Sequence, residues 1–412
     1  MTDSRDTSIR SIVALCGILA YQGYTMAING VGAPFIAASF GLGDAGIARL
    51  YAWISPAALG ALLLLRLADR VGRRRVLLAC MAATPMAALA AAAAAAGRNV
   101  VLFAACDIVL YAAIGATVST AVILLAEALP AERRARGQAY GGLAAAAGVG
   151  FCLVLIPILE SRGLSWRWLL VVAGGGIVWL PVLRRAVPES RRWMRASETG
   201  ATHGARLLDV FGARYRARAL PIAVCAFMSV VFAWSADAWS YYRVVSAVGL
   251  SPGAASLLVL VGGGLGMAGY PLGAKACERF GRVPTVVTSW LLAGVGALSF
   301  YWGPPAGTVA PAYWLGASFL WLKLADSAAL VGFRSASTEL FPTALRATVI
   351  GWTVLIGALG VVAAQAGIAL LAGPLGGLSR VVGYLAFLSV PSAAVFGWLV
   401  EETRGSELAA DG

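Results

Sequence analysis

The chain has 412 residues, 60% of them hydrophobic and only 12% charged. A water-soluble domain carries roughly a quarter charged residues, so most of this chain must face something other than water. The net charge of +13 does not point to nucleic acid, because the basic residues sit in short loops and the polar stretches are too short to fold as a binding module.

In chain order, six apolar runs come first, at approximately 11–37, 47–66, 76–97, 99–127, 138–160 and 168–186. An arginine-rich polar stretch fills 187–218, with an amphipathic helix expected near Leu207–Phe211. Six more runs follow, at approximately 219–246, 253–274, 284–303, 310–340, 347–372 and 380–400. One bilayer crossing takes about 20 apolar residues. The expected fold is therefore an all-α integral membrane protein of twelve transmembrane helices in two pseudo-symmetric six-helix bundles, 1–190 and 217–412, joined by a linker at 191–216. No cleavable signal is expected, because the first run is long and flows into a spanning helix.

Orientation follows from the basic residues. With both termini inside, 24 of the 32 basic residues fall on the cytoplasmic side and six outside, leaving Lys323 and Arg334 within a helix. The expectation is a multi-pass protein of the inner (cytoplasmic) membrane with both termini cytoplasmic. Lysine occurs only at Lys275 and Lys323. The six cysteines mostly lie inside apolar runs without metal-type pairing, and the one histidine, His203, lies in the central polar stretch. No metal, no cofactor and no enzymatic nucleophile–base set is expected.

The two halves repeat. Asp69-Arg70-x-Gly72-Arg73 returns as Glu278-Arg279-x-Gly281-Arg282. Glu127-x-x-Pro130-x-x-x-Arg134 returns as Glu339-x-x-Pro342-x-x-x-Arg346, and Glu189-Ser190-Arg191 as Glu402-Thr403-Arg404. The offsets, 209, 212 and 213 residues, are nearly constant. Acids at inner helix ends (Asp69, Glu127, Glu278, Glu339) beside basic partners (Arg70, Arg73, Arg134, Arg279, Arg282, Arg346) suit a gate of charge pairs between helix ends of the two halves, which can break and rehydrate at modest cost. The plainer alternative is that the arginines only enforce topology. Gly72 and Gly281 permit the tight turns such short loops need.

LADRVGRRRVLL (67–78) resembles the signature loop between helices 2 and 3 of the major facilitator superfamily. EALPAERRARG, TELFPTALRA, VPESRRW and EETRG resemble its branch of sugar porters and metabolite–proton symporters. The resemblance implies a monomeric carrier in a lipid bilayer, with a solute site near the midplane between two bundles related by a parallel repeat. The chain also departs from that pattern. The usual glycine four residues before the motif acid is Leu65, and Ala274 in the second half. The helix-1 acid that couples protons in sugar porters is Thr25, in Gly23-Tyr24-Thr25. Helix 7 reads VVFAWSADAWSYY, without the paired glutamines of sugar porters, which disfavours a sugar. Helix 5 lacks the Gly-Pro-x-x-Gly-Gly pattern of drug–proton antiporters. Gly262–Gly264 and Gly266 in helix 8 suit close helix packing rather than phosphate binding.

Charges at bilayer depth are costly unless paired or hydrated. Asp107, Asp237, Lys323 and Asp326 are such charges, and Lys323 and Asp326 share a helix face. They are either structural pairs or contacts for substrate and protons, with Asp326 ranked before Asp237 and Asp107 as a proton-coupling site. Trp234 and Trp321 can stack on a solute or simply pack. Gln22, Asn29 and Gln365 suit hydrogen bonds to an oxygen-rich ligand. The leading reading is a proton-coupled symporter of a small organic metabolite working by alternating access. A drug or natural-product efflux carrier is the alternative, and a non-transporting membrane sensor the reading from a different class.

Overall fold

The structure, a computed structural model, describes residues 2–127, 129, 134–187, 189, 194, 209–303 and 311–404. Among these, twelve helices are long and apolar enough to cross a membrane. The first six are α1 (Thr2–Phe40), α2 (Asp44–Val71), α3 (Arg73–Ala96), α4 (Val100–Glu127), α5 (Arg134–Ser161) and α6 (Trp168–Ala186). The second six are α7 (Arg216–Ala238), α8 (Pro252–Phe280), α9 (Arg282–Trp302), α10 (Pro311–Glu339), α11 (Thr343–Leu371) and α12 (Leu378–Leu399). No strand occurs among the described residues. Most of the linker expected at 191–216, with His203, lies outside them; of the amphipathic segment expected near Leu207–Phe211, a 3-10 turn over Asp209–Phe211 is described.

The chain divides into two compact units. Unit 1 comprises Met1–Gly43 and Leu50–Thr202; unit 2 comprises Asp44–Arg49 and His203–Gly412. Within unit 2, both carboxylate oxygens of Asp44 are bonded: Tyr242 Oη donates to one (2.8 Å) and the Leu378 backbone N–H to the other (2.9 Å).

Short turns interrupt three of the spans where proline removes a donor from the ladder. In each case another group reaches the carbonyl four residues back. The Ser55 hydroxyl donates to Ala52 O (2.9 Å) before Pro56, Tyr270 N to Met267 O (3.1 Å) before Pro271, and Val390 N to Phe387 O (3.0 Å) before Pro391. One expectation needs correction here. The run at 219–246 is not a single helix: wide π turns occupy Val230–Trp234 and Arg243–Ala247, and the helix is interrupted at Trp239. Side chains account for the interruption. Tyr301 Oη donates to Ala236 O (2.7 Å) and Ser240 Oγ to Asp237 O (2.7 Å), so these carbonyls do not depend on the regular ladder.

Both units bury aliphatic side chains and rings. Unit 1 buries a cluster that includes Leu15, Ile18, Leu19, Leu77, Met81, Leu124 and Leu125, and packs Phe103 against Phe40 and Trp166 at centroid distances of 5.4 and 6.2 Å. Unit 2 packs rings: Trp290 meets Phe333 and Phe396 at centroid distances of 5.7 and 5.4 Å, and Phe300 meets Tyr301 and Phe319 at 5.1 and 5.5 Å. On the outside, large apolar side chains such as Trp398 and Leu370 are exposed, as lipid-facing positions require.

Candidate functional site

Each unit carries one copy of a charge module, assembled from the three repeated motifs. Gly72 and Gly281 link consecutive helices at φ +113° and +105°, a region that favours glycine. A side chain at Gly281 would also strike the Glu402 carboxylate. The turns deliver Arg73 and Arg282 to the starts of α3 and α9. Arg73 binds Glu127 at 2.6 Å and Asp69 at 3.6 Å. Arg282 grips Glu339 with a two-pronged pair, Nε to Oε2 and Nη2 to Oε1, each 3.0 Å. The third motif caps the same helices. Glu189 accepts from Arg74 N (3.0 Å); Glu402 accepts from Arg282 N and Val283 N (2.9 Å each). Anions at helix N-termini satisfy free N–H groups and meet the positive end of the dipole.

The other module residues are less engaged. Arg70, Glu278 and Arg279 are exposed. Arg346 donates through Nε to the Thr338 and Phe341 carbonyls (3.1 and 3.2 Å), so it serves main chain rather than an acid. The Arg134 side chain lies outside the described residues.

At bilayer depth, unit 2 gathers α7 and α10. Lys323 Nζ sits 3.1 Å from Asp237 Oδ1 across the two helices. Asp326, one turn along α10 on the same face, makes no ion pair within 4 Å among the described residues. Close packing sets the position of Lys323. A Cβ on Gly266 would lie 2.4 Å from Lys323 Cβ, and one on Gly269 would lie 2.0 Å from Leu324 O. The glycines of α8 therefore let it press against α10, as small residues do at helix crossings in lipid. Trp321 is not part of this group. Two residues along a helix is about 200° of rotation, and its indole N–H donates to Leu292 O on α9 (3.1 Å). Trp234 is half-buried in the first π turn of α7. Gln365 Oε1 accepts from the Trp239 indole (3.1 Å).

Unit 1 joins the corresponding helices, α1 and α4, differently. Asn29 Nδ2 donates to Asp107 Oδ2 at 2.5 Å, both residues buried. Two tyrosines hold α1 beside them: Tyr51 Oη donates to Asn29 O (2.6 Å) and Tyr111 Oη to Met26 O (2.8 Å). Gln22 is enclosed, its amide on Met81 Sδ (3.3 Å) and its carbonyl accepting from Thr25 (3.1 Å).

A sequence profile described as Major Facilitator Superfamily matches residues 13–365. The chain belongs to that superfamily. Its structure aligns with that of a D-xylose–proton symporter at a TM-score of 0.73, 19% identity, 97% of this chain and 99% of the other. A gentisate transporter of Corynebacterium glutamicum is 25% identical over 91% of this chain and 84% of its own length. A gallate transporter of Pseudomonas putida is 29% identical over 50% of this chain, a match spanning 46% of that relative. The family and these relatives are transporters, so this is a multi-pass membrane transporter and not an enzyme.

Within the superfamily fold, several residues that shape the sites escape a reading of motifs. Tyr51, Tyr111 and Tyr301 act through hydroxyls on main-chain carbonyls in other helices. The spacing of Asp107 and Tyr111, four residues on one helix face, was the available signal. The pairing of Asn29 with Asp107 had none, since 78 residues separate them.

Proposed function

We propose that this transporter moves a small aromatic carboxylate across the cytoplasmic membrane, as a proton symporter working by alternating access. Supporting this are two relatives named for gallate and gentisate, both hydroxylated benzoates, and above all one feature of unit 2. Lys323 lies in the middle of a membrane span, held at 3.1 Å by Asp237 with Asp326 a turn away. An arriving carboxylate competes with Asp237 for the ammonium, and the displaced or neighbouring acid can then take a proton. Substrate and proton thereby bind together, which is symport in its simplest form. Trp234, a half-buried ring on the same helix as Asp237, offers an aromatic face. In this reading the two charge modules lie on the cytoplasmic side with both termini, and their ion pairs open and re-form during the cycle. The protein acts as a monomer.

The test is uptake into proteoliposomes holding the purified protein. Gentisate or gallate should accumulate under an inward proton gradient, should exchange at equal pH, and should lose both activities in Lys323→Met. Accumulation of xylose with no response to either benzoate would overturn the substrate class. Asp326→Asn and Asp237→Asn separate coupling from binding: a coupling residue loses gradient-driven accumulation and keeps exchange.

A further inference from the structure

The bond between Asn29 and Asp107 leaves a remainder. Asp107 is fully buried and Asn29 nearly so, and one hydrogen bond of 2.5 Å joins them. Asp107 Oδ1 and Asn29 Oδ1 are both buried without a hydrogen-bond partner. A side-chain amide offers donors and one acceptor oxygen, whereas an ionised carboxylate offers acceptors alone. If Asp107 were ionised, the site would hold two acceptor oxygens with no donor and a negative charge with no cation. Each buried unsatisfied oxygen is costly, and the bare charge more so.

Among the described residues, the surroundings show no other donor to either oxygen. The nearby hydroxyls are committed elsewhere: Tyr51 to Asn29 O, Tyr111 to Met26 O, and Tyr24 to Leu169 O (2.8 Å). Among the described residues, no lysine or arginine forms an ion pair with Asp107. The titratable groups around the pair are Cys106 and Tyr111 of α4, Tyr24 of α1, Tyr51 of α2 and Cys152 of α5. Beyond its opening arginines, α3 contributes only Cys80. None of these is a cation.

We propose that Asn29 and Asp107 form a proton-binding site, in which Asp107 holds a proton on Oδ1 and donates it to Asn29 Oδ1. One proton thus satisfies both oxygens. The acid and the amide then form two antiparallel hydrogen bonds, and the charge disappears. The occupied site is neutral and closed; the deprotonated site is an anion with two unsatisfied oxygens, so losing the proton weakens the α1–α4 contact within unit 1. That this proton travels with substrate rests on the symport reading above. That Asp107 is protonated does not.

The test reads the proton directly, by infrared spectroscopy of the full-length protein in lipid nanodiscs. A protonated-carboxyl C=O band should be present at neutral pH in wild type and in Asp237→Asn and Asp326→Asn. It should be absent from Asp107→Asn and shifted to higher frequency in Asn29→Leu, where the acid loses its partner. Its loss on raising pH should release one proton per protein that Asp107→Asn does not release. Thermal melting gives a second readout. The amide introduced by Asp107→Asn can make the same two bonds as a neutral acid, so wild type should lose stability relative to that variant as pH rises from the acid side. No protonated-carboxyl band in wild type at neutral pH would overturn the site, whether or not Asp107→Asn folds. So would a band that vanishes in sodium chloride and persists in choline chloride, which would make the ligand a metal cation. No arm uses a transport substrate, so failure to carry benzoates would leave the outcome standing.

Discussion

The same two helices of each repeat, α1 with α4 and α7 with α10, are tied by one polar bond, and the two bonds are chemically opposite. In unit 1 an amide meets a carboxyl in a fully enclosed place, with no ion pair to a cation among the described residues. In unit 2 an ammonium meets a carboxylate that is 46% exposed on its side chain, with a second acid close by. Burial decides what each bond can do. A closed acid–amide pair can exchange only a proton, because nothing larger fits between groups at 2.5 Å. A half-open ion pair can exchange one of its members for a solute anion. In the proposed mechanism the repeat keeps a helix-to-helix tie and divides the labour between its two copies.

Removing the cation from unit 2 should have the largest effect. Lys323→Met leaves Asp237 and Asp326 without a positive partner, and transport of a carboxylate should fall to background. The loss of stability should be only about 1–2 kcal/mol, below the roughly 3–5 kcal/mol typical of a wholly buried pair, because Asp237 is partly exposed. Adding Asp237→Asn should recover the melting temperature and not the transport. If the double variant transports normally, the pair is a structural tie and the contrast with unit 1 collapses. The matching change in unit 1 is Asn29→Leu, which strips Asp107 of its donor. It should cost about 1–3 kcal/mol, read as a lower melting temperature, whereas Asn29→Asp should cost more at high pH than at low. Smaller again is the difference between the two charge modules. Arg282 holds Glu339 through two bonds of its planar fork, which lysine cannot reproduce. Arg282→Lys should cost about 1 kcal/mol at these partly exposed sites, measured by melting, and less than Arg282→Ala.

Much of this fold was legible in the residues because lipid imposes simple demands. Twelve apolar runs and a repeated Asp/Glu-Arg-x-Gly-Arg motif suffice to locate helices, turns and the superfamily. Gly72 and Gly281 could be read because a two-helix turn of that length needs a positive φ. The interruption of α7 at Trp239 could not, since it depends on the hydroxyl of Tyr301, on α9, reaching Ala236 O. Lys323 raised a different difficulty. Helical spacing put it beside Asp326, but the ion pair forms with Asp237, because a neighbouring helix can bring an acid closer than three residues along the same one. Likewise Gln22 and Asn29 are polar residues at the right depth, and only packing shows that both spend their bonds inside unit 1.

The smallest expected effect lies at the end of the chain's second charge module, and its sign with pH is fixed by geometry. Burial by itself would raise the Glu402 carboxyl, but backbone N–H groups of Arg282, Val283, Arg404 and Thr403 outweigh it and hold it below the ordinary glutamate range. Two of these donors, Arg282 and Val283, belong to the first turn of α9, where a negative charge is favoured by the unsatisfied N–H groups and the helix dipole. The charged form is thus the one the fold prefers. Its contribution to stability is fully present above the glutamate pKa of the unfolded chain, and it is lost as pH falls through the lower folded value. Glu402→Gln keeps the shape and one acceptor oxygen but removes the charge. Wild type should therefore melt above Glu402→Gln at neutral pH, by less than about 1 kcal/mol for so exposed a site. The gap should stay constant down to the unfolded glutamate range and then close with further acid. Raising ionic strength at neutral pH should narrow it as well, because the interaction is screened. A gap that is insensitive to both acid and salt would mean that Glu402 acts by shape alone, and that the cap on α9 owes nothing to charge.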